Sequence, residues 1–400
     1  MKKNVMELEK QYLIQNYARQ PLILERGKGC WVWDSSGKKY LDFVSGLGVN
    51  VLGHAHPRIV KAIREQAAKL IHVSNLYYHP YQGLLAERLA KLTGMNRAFF
   101  CNSGTEAIEG AIKLARAHSV KLQKGKFEVV ALDNSFHGRT IGALSATGQE
   151  KYRKDFEPLV PGFSFARFND VRSLESLVSD HTCALLIEPI QGEGGIFEMS
   201  REFMQAAANL ARKTKALLIL DEIQSGLGRT GDFLASKVYG INPDVVVLAK
   251  PLAGGLPIGA ILATDEVADG LAAGMHGSTF GGGPLVCRAA IEFLSVLQDE
   301  RLLHNARTIG NYFERRLLAL KKKYPFIREV RGRGLMRAID LAMPSKPFVQ
   351  MALDRGLIIN NTHDTVLRFL PPLIVERKHV DQFYTIMDDI FSNTSWEGSK

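Results

Sequence analysis

The chain has 400 residues, of which 46% are hydrophobic and 23% are charged, proportions typical of a globular protein with a large core. Its formal net charge is +10, yet basic and acidic residues are interleaved along most of the chain, which argues against a nucleic-acid binder. No linker or low-complexity tract divides the sequence, so we expect two closely packed lobes.

The N-terminal residues 1–10 lack the unbroken hydrophobic stretch of a signal peptide, and no later window resembles a membrane span. We therefore expect a cytoplasmic protein that does not bind membranes. The four cysteines are widely separated, so neither disulfides nor a zinc site is expected. His54 and His56 have no third ligand at a recognisable spacing, and we interpret them as structural histidines rather than a metal site.

A hairpin is predicted over residues 31–38, with Gly37 near its turn. Strand-like apolar runs follow at 98–101, 127–132, 183–187, 216–220, 245–249 and 259–263. Helical apolar spacing fills several of the gaps, as over 108–115 and 203–211. This alternation predicts an α/β fold whose central sheet is mostly parallel and has helices on both faces.

The last quarter of the sequence changes character. A long helical stretch over 284–323 is predicted to end before Pro325, and short strands at 327–330 and 366–370 indicate a smaller α+β lobe. We therefore predict three parts. They are an N-terminal segment that packs with the small domain (1–50), a large cofactor-binding domain (51–300) and a C-terminal small domain (301–400).

Two predicted strands are followed directly by a charged residue, Asp221 in one case and Lys250 in the other. Ligands of doubly wound sheets bind beyond the carboxyl ends of the strands, so this carboxylate and this amine are expected to meet one cleft. Pyridoxal phosphate needs such a pair, because a lysine holds its aldehyde as a Schiff base and an aspartate keeps its pyridine nitrogen protonated. Either residue alone is equally consistent with a chain returning to water.

A phosphate-binding turn is predicted directly after the first apolar run. Residues 102–106 open a predicted helix, and a helix N-terminus offers unpaired N–H groups and a partial positive charge. Gly104 allows the backbone to approach a ligand closely, and the hydroxyls of Ser103 and Thr105 provide further hydrogen bonds. A plain N-cap, with Glu106 completing a capping box, has equal weight locally.

Residues 226–231 satisfy the Gly-x-Gly-x-x-Gly pattern of dinucleotide-binding folds. The context argues against an NAD-dependent dehydrogenase, because residues 221–225 separate the motif from its strand and no helix pattern begins at Gly231. A second glycine-rich run, 277–283, lacks the lysine of a P-loop. Close approach of the backbone to a ligand or to a neighbouring subunit explains it better.

Five motifs, in the same order along the chain, resemble those of the class III pyridoxal-phosphate aminotransferases. They are 102–107 (NSGTEA), 136–140 (FHGRT), 188–195 (EPIQGEGG), 221–224 (DEIQ) and 277–282 (GSTFGG). The resemblance implies a type I aminotransferase fold, bound pyridoxal 5'-phosphate and a homodimer whose active site lies at the subunit interface.

The resemblance also implies roles for the residues that would bind the cofactor. Lys250 would be the Schiff-base lysine and proton shuttle, and Asp221 the partner of the pyridine nitrogen. Gln224 would bond the phenolic oxygen of the ring, while Phe136 would stack on one face and Ile223 would press on the other. The phosphate would be held by residues at the start of the helix and by one residue of the second subunit, namely Ser103, Gly104, Thr105 and Thr279.

Four residues are expected to address the substrates. Arg139 would clamp the α-carboxylate through a bidentate pair, and Arg368 would receive the distal carboxylate of 2-oxoglutarate. Glu193 would neutralise Arg368 when the amine donor has no carboxylate there, so that one pocket accepts two unlike substrates. Ser278 is the fourth expected contact. A surface ion pair is the alternative interpretation of either arginine.

The implied reaction is transfer of the δ-amino group of N2-acetylornithine to 2-oxoglutarate, a step of arginine biosynthesis. Aliphatic Leu47 favours this acylated donor, since ornithine-specific members of the family tend to have a tyrosine there. Related enzymes that act on N-succinyl-diaminopimelate, a carrier-linked lysine precursor, ornithine or γ-aminobutyrate are the alternatives. Gly283 and Pro251 depart from the family pattern, and we expect donor preference to be the property they affect.

Overall fold

The structure of the chain is a computed structural model that describes residues 4–123 and 125–395. The predicted N-terminal and C-terminal parts therefore extend beyond the described residues at their outer ends. Among the residues described, none of the helices has the length and apolar character needed to traverse a bilayer.

The helices are α1 (Val5–Tyr12), α2 (Ser45–Gly48), α3 (Pro57–Ala67), α4 (Gln82–Thr93), α5 (Gly104–Gln123), α6 (Ile141–Ser145), α7 (Glu150–Arg153), α8 (Val171–Leu177), α9 (Arg201–Thr214), α10 (Asp265–Ala268), α11 (Pro284–Asp299), α12 (Leu302–Lys323), α13 (Lys346–Asp354) and α14 (Arg377–Ser392). Two 3-10 helices, Ala235–Tyr239 and Lys250–Leu252, lie between α9 and α10.

The strands are β1 (Leu24–Lys28), β2 (Trp31–Asp34), β3 (Lys39–Asp42), β4 (Arg97–Cys101), β5 (Glu128–Leu132), β6 (Phe163–Ala166), β7 (Thr182–Ile187), β8 (Ile190–Gln191), β9 (Phe197–Glu198), β10 (Leu217–Asp221), β11 (Val245–Leu248), β12 (Gly259–Ala263), β13 (Ile327–Arg333), β14 (Met336–Leu341), β15 (Leu357–Ile358), β16 (Asn360–Thr362) and β17 (Val366–Phe369).

A seven-stranded central sheet has the order β4-β12-β11-β10-β7-β5-β6. Strand β12 runs antiparallel to β4 and β11, and the other pairings in this sheet are parallel. Every residue of β7, β10 and β11 is buried, as expected for strands covered on both faces, which is why they are continuous apolar runs in the sequence. The predicted α/β class with a mostly parallel sheet is therefore confirmed.

The sequence did not predict β6, which forms one of the two edges of the central sheet. Its four residues are interrupted by polar Ser164, and only Ala166 is fully buried. An edge strand that is half covered lacks the uninterrupted apolar run by which the inner strands were recognised.

The predicted helix over 284–323 is in fact two helices, α11 and α12. The chain breaks at Arg301, which has a φ of +51° and precedes the first residue of α12. Neither glycine nor proline marks this break, and apolar residues continue on both sides of it, so the helical pattern hides the turn. Helix α12 ends at Lys323, before Pro325, as predicted.

Two smaller four-stranded sheets accompany the central one, β1-β2-β3-β15 and β13-β14-β17-β16. The predicted hairpin is β2–β3, and Gly37 in its turn has a φ of +87°. Strand β3 pairs with β15 through Leu41 and Leu357, so the beginning of the chain contacts its last quarter. The boundaries at residues 50 and 300 stay a prediction.

Candidate active site

A cavity of about 250 Å³ opens at the carboxyl ends of β10 and β11. Asp221 is the last residue of β10, and Lys250 follows β11 by two residues in the sequence. Because these strands are parallel neighbours, the aspartate and the lysine line the same cavity. Seven of the expected cofactor residues line it, namely Gly104, Thr105, Phe136, Asp221, Ile223, Gln224 and Lys250.

Lys250 is held in a rare backbone conformation, with a φ of +41°. Burial lowers the pKa of its amine below the ordinary lysine value, although the negative charge of Glu193 opposes this shift. A lysine with a lowered pKa supplies more of the uncharged amine, which is the form that attacks an aldehyde.

His137 fixes the Asp221 carboxylate from behind. Its Nδ1 lies 2.8 Å from Asp221 Oδ2, and both side chains are almost completely buried. The other carboxylate oxygen of Asp221 accepts a hydrogen bond from the backbone N–H of Ile223 at 3.0 Å. These two contacts leave the carboxylate little freedom to rotate.

The sequence did not single out His137, Gly138 and Glu188, which also line the cavity. Glu188 accepts hydrogen bonds from the backbone N–H groups of Phe136 at 3.0 Å and Gly192 at 3.2 Å. Burial raises the pKa of Glu188 to about 7, and the Asp221 carboxylate adds to this shift while His137 opposes it. These three residues lie within the motifs at 136–140 and 188–195. The sequence alone assigned them no role, because their contacts with the rest of the site arise only in the folded chain.

The N-terminus of α5 forms one end of the cavity. Thr105 Oγ1 accepts hydrogen bonds from the backbone N–H groups of Arg139 and Thr140, both at 3.2 Å, and this ties the helix to the 136–140 loop. Ser103 does not line the cavity. Its hydroxyl accepts the N–H of Glu106 at 3.2 Å, so Ser103 acts as an N-cap.

The two arginines expected to contact substrates lie at different depths. Arg139 is exposed at the mouth of the cavity, where its guanidinium lies 4.0 Å from the centre of the Tyr152 ring. It forms no ion pair with any residue that the structure describes. Arg368 is only 1% exposed, and its Nη1 donates hydrogen bonds to Glu193 Oε1 at 2.5 Å and to Gln224 Oε1 at 3.3 Å.

Glu193 and Gln224 line the cavity and separate it from Arg368. Burial acts to raise the pKa of Glu193, but the charge and hydrogen bond of Arg368, the charge of Lys250 and the hydrogen bond from Gln224 together outweigh burial and lower the pKa. Glu193 therefore stays ionised, and the Glu193–Arg368 pair is neutral as a whole.

The glycine-rich segment 277–283 does not reach the cavity of its own chain. Ser278 Oγ accepts a hydrogen bond from Asn102 Nδ2 at 3.1 Å, so it is next to the start of α5 without lining the cavity. Thr279 is exposed. The expected contacts of Ser278 with substrate and of Thr279 with a phosphate in a second subunit remain predictions.

The residues around the cavity fit pyridoxal phosphate. A buried amine and a fixed carboxylate face one space, and Phe136 and Ile223 line it between them. A Cβ atom added to Gly104 would lie 2.8 Å from Ile223 Cδ1, so the backbone at the helix start leaves room that any side chain would fill. The backbone N–H groups of Gly104 and Thr105 have no hydrogen-bond partner among the described residues, so they provide donors for a phosphate.

The sequence model of the family Aminotransferase class-III matches residues 12–391. The acetylornithine aminotransferase of Aquifex aeolicus is 50% identical over 95% of this chain and 99% of its own. That of Methanocaldococcus jannaschii is 48% identical over 97% of this chain and 98% of its own. The chain belongs to the class-III aminotransferase family.

Solved structures agree with this assignment. The ornithine aminotransferase of Toxoplasma gondii ME49 is 36% identical with a TM-score of 0.93, and the alignment covers 97% of this chain and 94% of that one. A PLP-bound amine transaminase from an uncultivated Pseudomonas species is 27% identical with a TM-score of 0.90, over 96% of this chain and 98% of that one. The fold is the type I aminotransferase fold, and the protein is a transaminase that uses pyridoxal phosphate.

Proposed function

We propose that this chain transfers the δ-amino group of N2-acetylornithine to 2-oxoglutarate. The observation that carries the proposal is the buried Arg368–Glu193 pair beside the cavity, combined with the unpaired Arg139 at its mouth. This arrangement suits two substrates that share one carboxylate position and differ in the other. The relatives called acetylornithine aminotransferase, at 43–50% identity over nearly the whole chain, support the same donor.

Arg139 is the group that we propose for the carboxylate shared by both substrates. In N2-acetylornithine the carboxylate carbon is four bonds from the reacting δ-carbon, so it extends toward the mouth of the cavity when the amine points at Lys250. An exposed guanidinium there can form a bidentate pair without first breaking an ion pair. The ring of Tyr152 under Arg139 helps to hold the guanidinium in place.

Arg368 is the group that we propose for the additional carboxylate of 2-oxoglutarate. Its contact with Gln224, the residue assigned to the phenolic oxygen of the cofactor, places Arg368 deep in the site. Because Arg368 lies deep in the site, we assign it the carboxylate that adjoins the reacting carbon of 2-oxoglutarate. The distal carboxylate then binds Arg139. This assignment is the reverse of the expectation from sequence for the two carboxylates of 2-oxoglutarate.

Glu193 acts as a replaceable partner for Arg368. The donor carries no carboxylate next to its reacting carbon, and Glu193 then neutralises the guanidinium. When 2-oxoglutarate enters, its carboxylate takes the place of Glu193. The exchange conserves charge in a buried place, where an unpaired charge is costly.

Lys250 moves the proton in this proposal. Bound pyridoxal phosphate supplies an electron sink that stabilises negative charge on the substrate carbon bearing the amine. Lys250 Nζ, whose pKa is lowered by burial, takes the proton from that carbon. Asp221, held by His137, keeps its carboxylate directed at the cavity, where it would hold the proton on the pyridine nitrogen.

Ornithine is the second candidate donor, since solved ornithine aminotransferases share the fold at TM-scores up to 0.93. Their identity to this chain is lower, at 36% or less. Leu47 lies 45% exposed in the left-handed turn α2, with a φ of +62°. An aliphatic side chain there suits an acyl group better than the second ammonium group of free ornithine.

We also propose that the active enzyme is a homodimer. Segments 70–80 and 275–283 expose several large apolar side chains, namely Ile71, Leu76, Tyr77, Tyr78, Met275 and Phe280. Asn75 joins the segments by donating to the carbonyls of Ser278 and Gly281. A patch of this kind is typical of a protein interface, and it includes the exposed Thr279. We also propose that the protein is cytoplasmic, as expected from the sequence.

The amine donor is tested by initial rates of the PLP-loaded enzyme with 2-oxoglutarate and a panel of amines. The panel contains N2-acetylornithine, N-succinyl-diaminopimelate, ornithine and γ-aminobutyrate, and glutamate formation is measured. We expect kcat/KM for N2-acetylornithine to exceed that for each other amine by at least about tenfold, which corresponds to about 1.4 kcal/mol of transition-state binding. A higher value for any other amine would overturn the assignment of the donor.

A further inference from the structure

A second cavity, which the proposed reaction does not use, lies where α4, α11 and α12 meet. Its volume is about 570 Å³, within the range of small-molecule sites. The floor is apolar, because Phe233, Leu294 and Leu297 line it and are themselves almost completely buried. We call it the α11–α12 cleft.

Basic side chains surround this apolar floor. The α11–α12 cleft is lined by Arg88, Lys91, Arg301, His304 and Arg307, and no carboxylate is among the described residues that line it. Along most of the chain acidic and basic residues are interleaved, so this local excess of one sign differs from most of the surface. A positive rim over an apolar floor attracts molecules that are both anionic and apolar.

Two of the guanidiniums have no acidic partner among residues 4–123 and 125–395. Arg88 Nη1 donates to the carbonyl of Ile291 and to the hydroxyl of Ser295, both at 2.9 Å, and both acceptors are neutral. Arg301 is exposed. By contrast, Lys91 pairs with Glu87 and Arg307 with Asp232. Arg88 and Arg301 can therefore bind an anion without giving up an ion pair.

The backbone conformation of Arg301 helps to set the position of its side chain at the cleft. Its φ of +51° is the left-handed conformation, which is unfavourable for an arginine and ordinarily falls to glycine or asparagine. The conformation begins α12 at the edge of the cleft and places a cation there.

We propose that the α11–α12 cleft binds a small amphipathic anion. The apolar body of this ligand rests on Phe233, Leu294 and Leu297, and its carboxylate or phosphate group meets Arg88 and Arg301. The proposal concerns a site outside the cavity of Lys250, and it stands whichever amine the enzyme uses.

The test uses the PLP-loaded enzyme and the fluorescent aromatic sulfonate 1-anilinonaphthalene-8-sulfonate as the probe. We expect saturable binding that weakens with added salt, because charge contributes to it. Asparagine tolerates a positive φ, so Arg301→Asn removes the charge at little cost to the fold. It should weaken the affinity roughly tenfold, the effect of losing one charge-assisted hydrogen bond.

A matched pair of charge variants at one exposed position provides the control. Gln298 lines the cleft, so Gln298→Glu should weaken binding of the probe and Gln298→Lys should leave it unchanged or strengthen it. Gln350→Glu makes the same change on the exposed face of α13 and should have no effect. If Arg301→Asn and Gln298→Glu bind the probe as the wild type does, or if the wild type shows no saturable binding, the proposal is wrong.

Competition identifies the chemistry of the ligand. Octanoate and phenyl phosphate should displace the probe, and their relative strength distinguishes a carboxylate from a phosphate head group. Neutral 1-octanol at the same concentrations should displace it far less. Displacement by octanol as strong as by octanoate would overturn the anionic part of the proposal.

Discussion

Lys250 combines two unfavourable states in one residue. Its backbone φ of +41° is rare for a side chain other than glycine, and burial lowers the pKa of its amine. Each state costs free energy of folding, on the order of 1–3 kcal/mol for the backbone alone. The arrangement is explained if the amine must reach a ligand in the cavity from the end of β11.

Replacing Lys250 by alanine is expected to abolish turnover while the cofactor still binds. The proton transfer loses its base, and general base catalysis contributes about 10²–10⁴ in rate, so kcat should fall by at least about a hundredfold. Turnover is measured with excess cofactor, and borohydride treatment followed by mass spectrometry reports the covalent link. Wild-type protein should retain the cofactor mass on the peptide containing residue 250, whereas activity in Lys250→Ala close to that of the wild type would refute the assignment.

Glu193→Gln tests the proposed exchange of partners at Arg368. The variant leaves the positive charge of Arg368 without a neutralising carboxylate, and the amine donor, which arrives as a cation, is then repelled. We expect KM for N2-acetylornithine to rise about tenfold or more, in line with the loss of a charged hydrogen bond, while KM for 2-oxoglutarate stays unchanged or falls. The two half-reactions are measured separately by single-turnover absorbance.

The exposed Glu202 on α9 provides the control for this variant. Glu202→Gln makes the same chemical change far from the cavity and should leave both KM values at the wild-type level. An equal rise of KM for both substrates in Glu193→Gln would mean that the carboxylate serves the structure of the cavity and not the choice between substrates.

The sequence predicted some residues of the candidate site and not others, for a physical reason. Asp221 and Lys250 each terminate an apolar run, so a local pattern was enough to bring them to one edge of the sheet. His137 meets Asp221 across 84 positions of the chain, and no local pattern carries that information. The same holds for Glu188, whose pKa is raised by a burial that only the folded chain creates.

At the level of elements, the loop 226–231 shows how one glycine pattern can have unrelated uses. Its residue Arg229 is 1% exposed and donates from Nη1 to the carbonyl of Leu335 at 3.1 Å and to that of Pro371. The N–H of Leu335 in turn donates to the carbonyl of Arg229 at 3.0 Å. The loop therefore joins the central sheet to the β13–β14 turn, and the glycines permit this close contact.

Gly334→Ala tests how tightly that contact is packed. Gly334 has a φ of +57°, and an added Cβ would lie 2.5 Å from the carbonyl carbon of Thr230. We expect a loss of unfolding free energy of about 3 kcal/mol or more, since about 1–2 kcal/mol comes from the left-handed backbone and the rest from overpacking. Chemical denaturation of the PLP-loaded protein measures it.

Gly37 offers the matched control, because its φ is +87° and an added Cβ would have no neighbour within 4 Å. Gly37→Ala should therefore lose only the backbone part, about 1–2 kcal/mol. If the two variants lose the same free energy, the loop and the turn are not in the close contact that we describe.

The elements themselves were predictable to the extent that burial was uniform. Strands β7, β10 and β11 are buried on both faces and were recognised from continuous apolar runs. Half-covered β6 was missed, and the break between α11 and α12 was hidden by apolar residues on both sides of it. Local sequence indicates how much of a segment is buried, but it does not show which other segments pack against it.

For the whole molecule, acidification acts through buried imidazoles. Burial lowers the pKa of His118 and His379, and also of the less buried His276 and His363. A histidine whose pKa is lowered in the folded state takes up its proton at a lower pH than it does in the unfolded chain. Between the folded value and the unfolded value near 6.5, the unfolded chain therefore binds more protons at these four histidines, and their contribution to stability falls as the pH falls. Glu188, whose pKa is raised in the folded state, contributes with the opposite sign.

His118→Phe is expected to make this decline less steep. The side chain of His118 is buried and its Nδ1 has no hydrogen-bond partner among the described residues, so a ring of similar shape replaces it without breaking a bond at that atom. Each proton bound only by the unfolded chain contributes a slope of about 1.4 kcal/mol per pH unit. The slope of unfolding free energy of the PLP-loaded protein between pH 5 and 6.5 should fall by up to that amount.

The exposed His181 gives the control, because His181→Phe removes an imidazole that folding leaves in water, and its slope should match the wild type. Equal slopes for His118→Phe and the wild type would mean that the acid sensitivity arises from other groups.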